Sequence, residues 1–433
     1  MLIERPKYLN QLINKKENGL IKIITGVRRC GKSYLLFKLY REYLNSIQVD
    51  DRHIIKLALD KVENAKYRNP FALSNYIETQ IVEKNVMYYV FLDEIQAVAT
   101  IQNPYLDSKD ETVGFVDVLL DLVSRENVDL YVTGSNSKML STDVLTEFRG
   151  RGDEIRMAPL TFSEFFATRG GYWRDAWDEY YRYGGMPFVL SLETHEEKSK
   201  YLKDLFSKIY LSDVLERHKI LNGKEVLEEL LNIISSTIGS LTNPTKLSNT
   251  FQSIKGTRIT AETVSTYLDY FIDAFLISKT YRYDIKGKRY IDTPLKYYFC
   301  DVGLRNARLN FRQQEENHLM ENVIYNELCA RDFDVDVGVV EYNYRDKAGK
   351  SKRTQLEIDF VVNKDSRRYY IQSALIIPDE EKRAQETNSL NRIPDSFKKI
   401  VVTKDNAIPW HDEKGVLYLG LAQFLLDDTA MDL

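Results

Sequence analysis

Five short apolar runs, at residues 20–25, 53–59, 86–92, 130–133 and 154–158, are separated by longer stretches with apolar residues at helical spacing, notably 32–44 and 115–124. Apolar strands alternating with helices predict a parallel sheet covered on both faces. After Pro159 the pattern changes. Residues 161–216 read as helical and aromatic, broken at Gly184, Gly185 and Pro187, which mark a tight turn. A further helix is expected over 225–239, ended by Gly239. Residues 245–251 and 261–274 read as helices, the second with Val264, Tyr267, Leu268 and Phe271 on one face. Two strands, 276–283 and 288–299, flank a turn at Lys286 and Gly287. Helices followed by a hairpin give a winged helix-turn-helix. A helix over 319–332, strands over 336–344, 355–362, 368–372 and 399–403, and a charged helix near 379–386 then predict a separate α/β unit. The polar stretch 310–317 reads as a linker.

The chain has 433 residues, 43% hydrophobic and 29% charged, so two to four domains of ordinary globular composition are expected. Its net charge of −4 excludes a general polycation, and any nucleic-acid contact must come from a local patch. Cys30, Cys300 and Cys329 form no CxxC pair, and the five histidines are scattered, which argues against a zinc or histidine metal site. No run of 18 apolar residues exists. With few cysteines and no leader pattern, a cytoplasmic protein without a membrane segment is expected.

The chemistry is concentrated in the first third. Gly26-Val27-Arg28-Arg29-Cys30-Gly31-Lys32-Ser33 fits G-x-x-x-x-G-K-[ST] and lies between an expected strand and an expected helix. Glycines let the backbone wrap phosphate oxygens, and the helix N-terminus adds positive potential. Lys32 would neutralise the β- and γ-phosphates of ATP, and the Ser33 hydroxyl would complete a Mg²⁺ shell. The apolar strand before Asp93 and Glu94 ends in two carboxylates. Asp93 would hold the metal and Glu94 would activate the attacking water. A second strand runs into Thr133-Gly134-Ser135-Asn136-Ser137. Ser135 or Asn136 would sense the γ-phosphate there, or the segment is an ordinary polar turn and helix cap. Arg149 and Arg151 sit in a glycine-flanked turn. One of them would reach the γ-phosphate of a neighbouring subunit in a homo-oligomer, or both are solvated.

These motifs, with Leu92-Asp93-Glu94-Ile95-Gln96 and Pro159-Leu160-Thr161-Phe162-Ser163-Glu164-Phe165, resemble a prokaryotic family of AAA-type P-loop ATPases with a C-terminal domain of unknown function. Tyr183-Gly184-Gly185-Met186-Pro187 and Tyr298-Phe299-Cys300-Asp301-Val302-Gly303-Leu304 look like its later signatures. The likeness covers nearly the whole chain. It implies a sheet with an additional strand and a catalytic glutamate, a helical lid, then a winged helix.

The last part resembles a restriction-endonuclease-like core, with Glu321 on a helix, Asp359 on a strand and Gln372 on the next. That resemblance implies a lysine two residues beyond Gln372, where Ala374 stands. Glu357 shares a strand face with Asp359. Two carboxylates suffice for Mg²⁺, but a degenerate, non-cleaving scaffold is expected.

Residues 241–310 carry eleven basic and six acidic side chains, with Lys286, Lys288 and Arg289 beside Tyr281, Tyr283 and Tyr290 at the expected wing. This suits DNA phosphates, a protein-docking surface being the alternative. The expected layout is an ATPase core over 1–165, a helical lid over 166–240, a winged helix over 241–310 and the endonuclease-like domain over 316–433. The expected function is Mg²⁺-dependent ATP hydrolysis serving a nucleic-acid-linked or switch role, the alternative being a nucleotide-gated protein-interaction module.

Overall fold

The computed structural model describes residues 2–433 except 107–110, 135–147, 149, 212–213, 216–217, 219, 221–222, 346–350 and 406–407. It divides into two compact units, one formed by residues 1–159 with 273–275, the other by 160–272 with 276–433.

The first unit is built on five strands, β1 (Ile21–Thr25), β2 (Ile54–Ala58), β3 (Tyr88–Asp93), β4 (Val128–Thr133) and β5 (Gly152–Arg156). Their order is β2-β3-β4-β1-β5 and every pairing is parallel. β4 is the additional strand, inserted between the strand that feeds the phosphate loop and the strand that ends in Asp93 and Glu94. β1, β3 and β4 are buried at every position, as a sheet covered on both faces requires. On one face Ile21, Ile23, Val90, Leu92, Leu130 and Val132 pack with Leu73 and Ile77 of α3 (Pro70–Gln80) and Leu119 and Leu122 of α4 (Phe115–Val123). Each such side chain contributes about 1.5–3 kcal/mol by leaving water. α1 (Pro6–Asn14) precedes the sheet. α2 opens at Lys32 and runs through Lys32–Tyr34, a π-helical stretch Leu35–Tyr40, and Arg41–Ser46.

Inside the sheet lies a buried polar network absent from the sequence reading. Lys22 of β1, fully buried, pairs with Asp129 of β4, whose other oxygen accepts from Tyr131 at 2.6 Å and from the Glu17 amide at 2.9 Å. Burial pulls the Lys22 amine down, against the pull of Asp129.

The second unit begins with helices α5 (Phe162–Arg169), α6 (Trp173–Tyr183) and α7 (His195–Asp204). The Thr161 hydroxyl caps the amide of Glu164, and the Glu164 carboxylate returns to the amide of Thr161, so the Thr-Phe-Ser-Glu run starts α5 as a capping box. α8 (Lys224–Ser236), α9 (Pro244–Lys255) and α10 (Ala261–Asp273) follow, then strands β6 (Ile277–Asp284) and β7 (Arg289–Phe299) and the short α11 (Val302–Arg308). α12 (Glu316–Ala330) leads to β8 (Asp334–Arg345), β9 (Ser351–Lys364) and β10 (Arg367–Ala374), an antiparallel meander. α13 (Glu380–Thr387) crosses to β11 (Lys398–Thr403), parallel to β10. β12 (Trp410–His411), β13 (Val416–Gly420) and α14 (Leu421–Leu426) follow.

The structure divides this half differently from the expected 166–240, 241–310 and 316–433. The hairpin β6–β7 is no free wing. β6 pairs in parallel with β8, and one eight-stranded sheet, β12-β13-β11-β10-β9-β8-β6-β7, spans the expected linker. The reason is hydrogen bonding: an isolated hairpin exposes an edge, and β8 satisfies it. The three expected domains therefore lie in one compact unit.

Candidate functional site

The phosphate loop leaves the C-terminal end of β1 in a conformation only its glycines permit at their positions. Gly26 has φ 137°, and a Cβ there would lie 2.0 Å from the Met157 carbonyl oxygen. Gly31 has φ 106°, and Arg29 also adopts a left-handed φ of 65°. The Arg5 guanidinium, almost wholly buried, donates to the carbonyls of Cys30 (3.0 Å) and Ala158 (2.7 Å), clamping the loop to the segment after β5. Buried Cys30 packs beneath the loop, its thiol 3.5 Å from the Met157 carbonyl.

Lys32 is buried and turns back over the loop, its amine donating to the carbonyls of Gly26 (2.9 Å) and Val27 (3.2 Å). Its charge is thus held inside the ring of loop backbone. Ser33, on the first turn of α2, donates to Asp93 Oδ1 at 2.9 Å. The same carboxylate accepts from the Thr133 hydroxyl at the tip of β4. Thr133 Oγ in turn accepts from the Glu94 amide at 3.1 Å. Burial raises the Asp93 carboxyl above the ordinary carboxylate range, the Thr133 and Ser33 hydrogen bonds opposing it.

Glu94 has left-handed backbone angles, φ 53° and ψ 51°, sparsely populated by residues with a side chain. This kink turns its carboxylate away from the direction β3 would have given it. The side-chain amide Nε2 of Gln96 donates to that carboxylate.

The arrangement therefore brings together Lys32, Ser33, Asp93 and Glu94, four of the residues picked out in the sequence. Ser33 and Asp93 are the residues that would hold a divalent cation, and a hard, oxygen-only donor pair suits Mg²⁺. Three contributors were given no role of their own in the sequence reading: Thr133 and Gln96, which it quoted only within motifs, and Arg5. A hydroxyl ending the strand beside an acidic one was a usable signal for Thr133. Arg5 carried none, because its role depends on a fold-back of the chain onto residue 158.

Ser135, Asn136 and Arg149 lie outside the described residues. Arg151 is exposed, and its carbonyl accepts from the Ile21 amide at 2.8 Å, at the N-terminal end of β1. The phosphate loop leaves the opposite end, five strand residues away, or about 16 Å. Arg151 cannot serve the phosphate loop of its own chain.

In the second unit, Glu321 of α12 and Glu357 and Asp359 of β9 do converge, but Lys296 of β7 lies among them, 2.8 Å from Glu321 Oε1, 2.7 Å from Glu357 Oε1 and 3.7 Å from Asp359 Oδ1. Gln372 sits on β10 with its side-chain oxygen buried and unpaired among the described residues. Ala374 is buried. Of the eleven basic residues of 241–310, Arg282, Lys296 and Arg305 are buried and Arg308 is half-buried, while Lys246, Lys255, Arg258, Lys279, Lys286, Lys288 and Arg289 are exposed. Arg305, fully buried, donates to the carbonyls of Ser235 and Gln313. Arg282 donates to Gln355, Lys286 to the Glu341 carbonyl, and Arg308 to Asn232 and the Glu228 carbonyl.

Residues 18–166 match a family model described as an AAA domain, and residues 174–315 match one described as a domain of unknown function. An uncharacterized protein of Haemophilus influenzae is 32% identical over 407 residues, 93% of each chain. The uncharacterized protein MJ1544 of Methanocaldococcus jannaschii is 29% identical over 378 residues, covering 83% of this chain and 76% of its own. Among solved structures, the Walker-type ATPase PABY2304 of Pyrococcus abyssi aligns with 71% of this chain and 96% of its own, at 14% identity and a TM-score of 0.48. Among the described residues, no helix is long and apolar enough to cross a membrane.

Proposed function

The chain belongs to the family of AAA-domain P-loop proteins, and from that premise we propose that it is a Mg²⁺-dependent ATPase. The observation that carries the reading is the meeting of Ser33 and Asp93 at 2.9 Å beside the buried Lys32 amine. That is the donor pair and the charge that a nucleotide triphosphate and its metal require. The cation, when bound, would supply charge neutralisation to the β- and γ-phosphate oxygens, with Ser33 and Asp93 holding it. The amides of Val27 to Ser33 would cradle the phosphates, and Lys32 would exchange its two loop carbonyls for phosphate oxygens.

Glu94 would take a proton from a water whose oxygen attacks the γ-phosphorus. The bond from that phosphorus to the β–γ bridging oxygen breaks, and ADP and phosphate leave. Thr133 keeps this carboxylate in position indirectly, by fixing both Asp93 and the Glu94 amide. Ser135 or Asn136 would complete the γ-phosphate contacts. Arg149 or Arg151 would act only from a neighbouring subunit. The test is steady-state phosphate release by the parent and by Glu94→Gln. The variant should bind ATP as the parent does and turn over at least 100-fold more slowly. Equal rates would remove Glu94 from the mechanism.

What hydrolysis drives is a nucleic-acid-linked or switch role. Four of the eleven basic residues that suggested DNA, Lys286, Lys296, Arg305 and Arg308, bind carbonyls and carboxylates inside the second unit, while Lys288 and Arg289 at the hairpin turn stay exposed. A nucleotide-gated protein-interaction module accordingly stands as the second reading. A salt-dependent DNA affinity, or none, separates the two.

A further inference from the structure

The resemblance of the second unit to a restriction-endonuclease core implies a divalent metal held by Glu321 and Asp359. The residues present do not fit one. We infer that Lys296 is a built-in cation, standing where a metal ion would have to sit and closing the Glu321–Glu357–Asp359 cluster to metal.

The geometry comes from three separate elements. β7 brings Lys296, α12 brings Glu321, and β9 brings Glu357 and Asp359. The Lys296 side chain is 3% exposed, and its amine lies within hydrogen-bond distance of Glu321 and Glu357 and 3.7 Å from Asp359. A divalent cation binds carboxylate oxygens at about 2.0–2.6 Å. An ammonium at 2.7 and 2.8 Å from two of those same oxygens leaves no such position, and like charges repel at that range. Tyr298, two residues on along β7, donates its hydroxyl at 2.6 Å to the same Glu321 Oε1 that Lys296 contacts, and the Ser373 amide donates to Asp359 Oδ2 at 2.8 Å. The turn after α8 shuts the other side, since a Cβ on Gly239 would lie 3.2 Å from both oxygens of Glu321.

The electrostatics agree. Burial works against the charge on Lys296, but Glu321, Asp359 and Glu357 outweigh it and hold the amine well above its usual range, so it stays protonated. Burial and the Glu321 charge push the Asp359 carboxyl up to about 8, against the pull of Lys296. The ammonium is thus held among the three acidic side chains. The lysine missing beyond Gln372 has not been replaced by one in the same catalytic post. A nuclease lysine sits beside a metal-bound water, whereas this one takes the carboxylates for itself.

The experiment is a Mn²⁺ titration of the whole chain without nucleotide, followed by electron paramagnetic resonance, for the parent, Asp359→Asn, Lys296→Met and the Lys296→Met/Asp359→Asn double variant. The parent and Asp359→Asn should bind Mn²⁺ alike. Lys296→Met should gain one site per chain, at least tenfold tighter than any the parent shows, and the double variant should lose it. A parent site that Asp359→Asn removes, or a folded Lys296→Met that gains none, overturns the inference. Should Lys296→Met unfold because its carboxylates are left unpaired, Mn²⁺ at millimolar concentration should refold it and leave the parent's midpoint unchanged. Failure to refold also counts against it.

Discussion

The carboxylate of Asp301 accepts a hydrogen bond from the amide of Gly185, 116 residues earlier in the chain, at 2.6 Å. Its other oxygen caps α11 through the Leu304 amide at 2.9 Å. The runs Tyr183-Gly184-Gly185-Met186-Pro187 and Phe299-Cys300-Asp301-Val302-Gly303-Leu304 are the two halves of this clasp. Gly184 has φ 72°, and a Cβ there would lie 2.2 Å from the Asp301 carboxylate, so no other residue fits. Burial pushes the Asp301 carboxyl up to about 6, opposed by these amides.

Asp301→Asn should weaken the second unit, because an amide NH₂ would face one of two buried N–H donors. The expected loss is about 2 kcal/mol, the cost of leaving a buried donor unsatisfied. Gly184→Ala should cost at least as much, through strain and collision. Urea midpoints of the two variants check this, and parent-like values would deny the clasp a structural role.

Lys32→Ala should abolish ATP binding measurable by calorimetry with Mg²⁺, since the charge facing the β- and γ-phosphates is gone. Arg5→Ala should have a different signature. It removes the clamp on the loop and not a phosphate contact, so ATP affinity should fall by roughly tenfold, about 1.4 kcal/mol, with the fold intact by circular dichroism.

Arg151→Ala should lower turnover only where subunits associate, because the residue lies at the far end of β1 from its own phosphate loop. Specific activity of the parent is expected to rise with protein concentration, and the variant's should stay flat. A variant with parent activity at every concentration would assign Arg151 to solvent.

The Asp359 carboxyl titrates near 8 when folded, against an ordinary value of 3.8. The folded state therefore holds this proton more tightly than the unfolded chain does. The stability it contributes is present below about pH 4 and is lost as pH rises through 8. Between pH 5 and 8 the parent should lose about 2 kcal/mol more than Asp359→Asn, a figure discounted from about 1.4 kcal/mol per unit for coupling to Glu321. Matching pH profiles would contradict the buried-carboxylate account. With Lys296 holding the cluster, neither Mg²⁺ nor Mn²⁺ should support cleavage of duplex, single-stranded or branched DNA by the parent, which gel assays test directly.

Replacing Lys286, Lys288 and Arg289 with Ala should leave the slope of log affinity against log salt nearly unchanged if the hairpin docks protein. On DNA phosphates the slope would shrink by about three. Lys286 already donates to the Glu341 carbonyl and Arg289 lies 3.6 Å from Asp284, which favours the first outcome.

The sequence by itself determined whatever is written in consecutive residues. Gly26 to Ser33, the apolar strand ending in Asp93 and Glu94, the strand–helix alternation and the Thr161–Glu164 cap are all local, because a turn, a strand period or a capped helix depends only on near neighbours. Tertiary structure alone decided what depends on strand order and register. Placing β4 between β1 and β3 made Thr133 the link between Asp93 and Glu94. Parallel pairing of β5 with β1 sent Arg151 to the end of the sheet away from the phosphates. Pairing of β6 with β8 absorbed the expected wing into the large sheet. The same sheet and the helix packed on it carried Lys296 to three carboxylates 25 to 63 residues away in the chain, a meeting that no spacing along the chain encodes.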